Sequence, residues 1–150
     1  QEIYYFSQSR KQSYFGLAWG NDKNGGYEVR NKLFKGFIGD NKGITTFNPQ
    51  KGGEIAVFEG MLDFLSFLTH YKINNFQSTA IIANSSNTKN DVVIKINELN
   101  PSRVFSFHDN DSVGLEFYQY LTENILNCPI IDKSKIYVGF KDYNEFLKSK

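Results

Sequence analysis

Two aspartates stand two residues apart in FHDNDSVG, Phe107 to Gly114, directly after an apolar run. Carboxylates that close repel unless a cation or a proton lies between them, so Asp109 and Asp111 are candidates for holding a divalent metal. A third acid, Glu59, ends another apolar run in IAVFEGMLDFLS, Ile55 to Ser66, and Gly60 follows it at once. Three carboxylates gathered in a partly desolvated cleft make an oxygen-only ligand set, which suits magnesium or manganese rather than zinc. Each acid also has a plainer reading. Asp111 can cap a helix starting at Ser112, and for that residue taken alone the cap is the better account. Glu59-Gly60 can be an ordinary turn, with glycine chosen for backbone freedom. Asp109 at a strand end has no comparable alternative. His108, beside it, reads as a packed or hydrogen-bonded histidine rather than a catalytic one.

Convergence requires the acids to share one edge of one sheet. After Gly53 the pattern alternates: strand Ile55–Phe58, helix Met61–Tyr71, strand Thr79–Ala83, helix over Val92–Leu99, strand Val104–Phe107, helix Ser112–Leu126, strand Ile136–Val138 and a short helix Tyr143–Leu147. Alternation of this kind predicts an α/β fold, a four-stranded parallel sheet with right-handed crossovers and helices on both faces. Ligands bind such sheets beyond the carboxyl ends of the strands. The turns there are Glu59-Gly60, Asn84-Ser85-Ser86 and Asp109-Asn110-Asp111, all polar. Before Gly53 the rhythm differs. SYFGLAW, YEVRN, LFKGFIG and ITTF are short β-like runs separated by turn residues such as NDKNGG, which predicts a small antiparallel lobe. Two domains are therefore expected, 1–53 and 54–150.

Charge divides at the same place. Lys and Arg number eight against four acids in residues 1–53, and nine against twelve in 54–150. A basic lobe beside an acidic one suits an anionic ligand on one side and a cation on the other, although solvated surface charge explains the difference equally well. Arg30, Asn31, Lys32 and Lys35 fall in a predicted hairpin, where the cations can hold phosphate oxygens, Arg30 in a bidentate manner. The alternative is a hairpin whose charges serve solubility. Tyr14, Phe15, Trp19, Tyr27 and Phe34 can stack on bases, but core packing is the expectation for most of them. A chain of 150 residues, 40% hydrophobic, supports one well-packed core. It contains no apolar run near the length of a membrane span and no signal-peptide core. Its single Cys128 excludes an internal disulfide and a cysteine-based zinc site, and fits a reducing, cytoplasmic setting. The opening Gln1 suggests a segment of a longer protein.

Together, IAVFEGMLDFLS and FHDNDSVG resemble the TOPRIM domain of bacterial-type DNA primases, topoisomerases and some nucleases. AIIANSSN, Ala80 to Asn87, is similar to that family's second strand and polar turn, and GFKDYNEFL, Gly139 to Leu147, to the Lys-Asp element of its primases. The β-rich lead-in with GGYEVRNKLFKG narrows the resemblance to the catalytic core of primases, above all the divergent primase-like proteins of plasmids and mobile elements. The resemblance implies metal-dependent nucleotidyl transfer, that is, primer synthesis on single-stranded DNA from nucleoside triphosphates. It implies magnesium or manganese on Asp109, Asp111, Glu59 and Asp142, with Glu59 as ligand or general base. Arg30, Asn31, Lys35, Asn84 and Lys141 are the candidate contacts to nucleic acid or nucleotide, although Lys141 reads equally well as a surface lysine before a helix; the resemblance further implies a replicative helicase as partner and a metal-finger segment upstream. Two departures are visible: Asn110 stands where many relatives have Gly, and Val113 where Ala is frequent. Asp132 is the candidate counterpart of the acids that primases carry between the Asp-x-Asp turn and the last motif.

Other classes stay open. A TOPRIM nuclease or topoisomerase-type enzyme, a receiver-like phosphotransfer domain and a non-catalytic nucleic-acid-binding module would each use acids at this edge. The fragment alone need not be active.

Overall fold

In the first residues of the computed structural model, short runs rich in aromatic and β-branched side chains form strands broken by polar turns. The structure describes residues 1–33 and 35–150, arranged as two compact units, Gln1–Gly43 and Ile44–Lys150. Among the described residues of the first unit, β1 (Glu2–Ser7), β2 (Gln12–Gly20), β3 (Tyr27–Arg30) and β4 (Lys35–Ile38) form an antiparallel meander in chain order. Strand β1 lies ahead of the first run that the sequence pattern marked. The expected hairpin is β3–β4, with Arg30 opposite Lys35.

Thr45–Phe47 does not join this sheet, contrary to expectation. It forms β5, which pairs antiparallel with β7 (Thr79–Ile82) in the second unit. Its alternating pattern suits any antiparallel edge, and a run of three residues carries no signal for which sheet it will cover. The second sheet is completed by β6 (Glu54–Phe58), β8 (Arg103–Phe107) and β9 (Ile130–Asp132), in the order β5-β7-β6-β8-β9. The four strands β7, β6, β8 and β9 run parallel, as expected for this fold. The last of them is not Ile136–Val138. Ser134–Tyr137 is instead a 3₁₀ turn, held because the Tyr137 hydroxyl donates to the His108 carbonyl at 2.7 Å.

Helices α1 (Met61–His70), α2 (Lys89–Leu99), α3 (Ser112–Asn124) and α4 (Tyr143–Lys148) cover the sheet. Alternate residues of β6 face opposite layers. Ile55 and Val57 join Ile81, Val92, Ile96, Val104, Phe117 and Leu121 in an aliphatic core with α2 and α3. Phe58 instead stacks on Phe107 at 4.5 Å and meets Phe64 and Phe67 of α1, and Phe107 reaches Tyr143 of α4. Among the described residues, no helix is long and apolar enough to cross a membrane.

Phe58 is fully buried beneath the carboxyl edge. Phe58→Ala should lose about 3–5 kcal/mol of stability, from lost transfer energy plus the cavity left behind. Denaturant unfolding checks this, and a loss well below 1 kcal/mol would show that the aromatic layer is not tightly packed.

Candidate metal centre

Strands β6 and β8 are immediate neighbours, with Phe58 opposite Phe107, so the residues that follow them leave the sheet side by side. Glu59 Oε1 accepts the backbone N–H of Asp109 at 2.8 Å. Two glycines permit the approach. A Cβ on Gly114 would run into the carbonyl oxygen of Asp109 and lie 2.7 Å from Glu59 Oε1, and one on Gly60 would lie 2.6 Å from Asp63 Oδ2. Gly114 is thus required by space, because backbone occupies the volume a side chain would take, whereas at Gly60 the Asp63 carboxylate would have to shift.

Asp111 starts α3. Its Oδ1 accepts the N–H groups of Val113 and Gly114, both at 3.0 Å, and its Oδ2 lies 3.1 Å from Lys141 Nζ. These amide bonds and the ammonium hold its pKa below the ordinary value, the amide of Gly114 contributing most. The plainer reading of Asp111 as a cap is therefore present in the structure. Asp142 starts α4 in the same way, with Oδ1 accepting the N–H of Glu145 at 2.6 Å. The loop carrying Lys141 and Asp142 is tied to the aspartate turn, since Asn110 N–H donates to the Lys141 carbonyl at 2.6 Å and the Asn110 amide reaches the carbonyls of Tyr137 and Phe140 at 3.1 and 3.0 Å.

A fifth acid escaped the sequence reading. Asp63 sits in the first turn of α1, 8% exposed, with Oδ1 accepting the N–H of Asn144 at 3.1 Å. An acid at that helix position is ordinary, so its only signal was its place four residues after Glu59, on the helix that starts at the same edge. Burial raises its pKa to about 7, helped by the charges of Asp142 and Asp109. Burial likewise lifts Glu59 to about 7, with Asp109, Asp111 and Asp63 adding repulsion.

Glu59, Asp109, Asp111, Lys141 and Asp142 thus gather at one edge. Asn84 is at that edge too, but it is 2% exposed, its N–H donates to the Glu59 carbonyl and its amide to Thr45 Oγ1. Asp132 Oδ1 is engaged by the N–H and hydroxyl of Ser134. His108 is buried, stacked on Tyr118 at 4.7 Å and 3.2 Å from Ser106 Oγ through Nδ1, and burial lowers its pKa. Arg30, Asn31 and Lys35 belong to the first unit, where Asn31 Oδ1 accepts the N–H of Leu33 at 2.8 Å. Among the described residues, no three His, Cys, Asp or Glu side chains are grouped closely enough to hold a cation as they stand. The donor set nevertheless suits a hard cation: oxygen ligands only, with Glu59 desolvated and repelled by Asp109 and Asp111, and Asp111 already drawing an ammonium.

The family model described as Toprim-like matches residues 56–147. The chain belongs to the Toprim-like family. Residues 1–39, outside the Toprim match, fit a domain of unknown function. No curated protein matches the chain. Among solved structures, the primase fragment of the bacteriophage T7 primase-helicase protein is similar with a TM-score of 0.65 at 16% identity, over 89% of this chain and 57% of that one. A complex of the bacteriophage T7 lagging-strand DNA polymerase with primase domains, bound to an RNA/DNA hybrid and dTTP, is similar with a TM-score of 0.60 at 14% identity, over 95% of this chain and 74% of that one. The Toprim sheet and its antiparallel lead-in therefore have the fold of primase-like proteins, and the chain spans 57% of the length of the T7 fragment.

The two raised acids of the Toprim edge set a pH dependence. Glu59 and Asp63 have ordinary values of 4.5 and 3.8 and folded values of about 7. Between these limits the native state keeps protons that the unfolded chain has released. Metal-free stability should therefore fall as pH rises from about 4 to about 7, and level off above. Thermal unfolding across that range measures it. Glu59→Gln should flatten the slope, and a stability that climbs through the window would contradict buried, crowded acids.

Proposed function

We propose that the chain is part of the catalytic core of a DNA primase-like protein, carrying out divalent-metal-dependent nucleotidyl transfer on single-stranded DNA. The meeting of Glu59 with Asp109 at adjoining strand ends, with Glu59 raised to about 7 by burial and neighbouring acids, carries the reading. Division of labour between residues 1–53 and 54–150, basic lobe and Toprim domain, belongs to the same proposal.

Asp109 and Glu59 would hold magnesium or manganese, with Asp111 and Asp142 contributing from the two helix starts. Bound cations would neutralise triphosphate and leaving pyrophosphate oxygens. Where Glu59 is not a ligand of the cation, it would instead act as the general base that takes the proton of an attacking 3′-hydroxyl. Asp111 orients α3 through its cap, and Lys141 adds a positive charge that phosphate oxygens can share. Arg30, Asn31 and Lys35 would follow the template backbone, which gives affinity without sequence preference. A replicative helicase as partner rests on likeness to a primase-helicase protein. One observation favours a non-catalytic nucleic-acid-binding module instead: both Asp111 oxygens are already engaged, by the α3 amides and by Lys141.

One pair of experiments separates these. Magnesium or manganese should raise the melting temperature, by the equivalent of about 2.7 kcal/mol at a hundredfold excess over Kd, and Asp109→Asn should abolish the rise. In the full-length protein, Glu59→Gln should eliminate primer synthesis while DNA binding persists. Primer synthesis that survives Glu59→Gln assigns the acids to docking or folding.

A further inference from the structure

Strand β2 outruns its neighbour. Leu17 to Gly20 pair with β3, but β3 ends at Arg30, while β2 continues to Gln12 beside β1. Between this overhang and the turn after Arg30 lies a cleft of about 620 Å³, lined by Phe15, Leu17, Arg30, Lys32 and Leu33 among others. Its walls differ in chemistry. On the overhang Phe15 is 47% exposed and Leu17 41%, so that wall is apolar and open to a ligand, while Leu33 belongs to the turn side. Arg30 and Lys32 supply the other, and no carboxylate lines the cleft among the described residues.

The register extends the apolar wall. Tyr4 lies opposite Phe15, and Leu17 opposite Arg30, which places Tyr4, Phe15, Leu17 and Arg30 on one face of the sheet. The Tyr4 and Phe15 rings are 5.1 Å apart, and Tyr4 is 83% exposed. Core packing was the sequence expectation for most of the aromatics here. Phe15 and Tyr27 are instead exposed, Tyr14 and Trp19 are partly buried, and Phe34 lies outside the described residues.

An occupant must offer planar apolar faces and negative charge in alternation. Two cations beside an apolar wall call for an anionic occupant, which a second copy of this lobe, with eight Lys and Arg against four acids in residues 1–53, is not, and duplex DNA hides its base faces. A single strand of nucleic acid offers both. We propose that this cleft is a base-stacking site for single-stranded nucleic acid, with a base on Phe15 beside Tyr4 and the adjoining phosphate on Arg30 and Lys32. It lies in residues matched by a domain of unknown function, outside the Toprim match. The inference rests on the reading that this protein acts on single strands, and it adds the aromatic contacts and the place where a base would stack.

Fluorescence anisotropy of the 150-residue chain with a labelled oligothymidylate, and with an abasic strand of equal length and charge, tests it. The oligothymidylate should bind at least about tenfold more tightly than the abasic strand. Phe15→Ala should erase that difference and leave the salt dependence unchanged, whereas Phe15→Trp should keep it. Arg30→Ala should lower the salt slope by about one for both strands. Equal binding of the two strands, an unaffected Phe15→Ala variant, or a concentration-dependent dimer that Phe15→Ala disperses would each overturn the stacking site. These outcomes leave the metal centre standing if magnesium still raises the melting temperature. Loss of that rise with base-dependent binding intact would overturn the metal centre and keep the stacking site.

Discussion

Glu59 accepts the N–H of Asp109 where two parallel strands end side by side, and the carboxyl edge is organised around that meeting. Strands β6 and β8 bring it about by pairing Phe58 with Phe107, whose stacked rings form an apolar floor directly beneath the acids. The floor keeps water from one side of Glu59, so the group that accepts the hydrogen bond also resists being charged. Gly114 completes the arrangement by letting the first turn of α3 pass against the Asp109 carbonyl. Core packing, helix entry and acid chemistry are therefore settled by the same few residues.

The edge carries two kinds of carboxylate. Asp111 and Asp142 lie at helix starts and accept backbone N–H groups there, which lowers the pKa of Asp111. Glu59 and Asp63 lie closer to the sheet, where burial favours the neutral form. Environments that push neighbouring acids apart in proton affinity allow one site to hold charge and exchange protons at the same pH. Lys141 tempers the outer pair without reaching the inner one, since its ammonium is bound to Asp111.

Much of this was legible in the amino-acid sequence. Apolar runs ending in Glu-Gly and Asp-x-Asp announced strands whose ends meet, and helical spacing placed α1 and α3 behind them. What escaped has physical reasons. Asp63 looks like an ordinary helix-start acid, and only tertiary contact with Asn144, eighty-one residues on, shows it turned inward. IYV near residue 137 has strand-forming side chains, yet the Tyr137 hydroxyl reaches the His108 carbonyl and curls the segment. Three-residue strands such as β5 and β9 leave too short a pattern to show which partner they choose. Exposure of Phe15 was hidden because an aromatic in an alternating run reads the same whichever face is covered.

Asn110 has a consequence of another kind. Where a glycine would keep only the backbone bond to Lys141, the Asn110 side-chain amide adds bonds to the carbonyls of Tyr137 and Phe140. The aspartate turn and the segment before α4 are thereby measured against each other like two lengths cut to fit. In proteins of this lineage, residue 110 and the length of that segment should change together, so an insertion after β9 should be accompanied by loss of the asparagine.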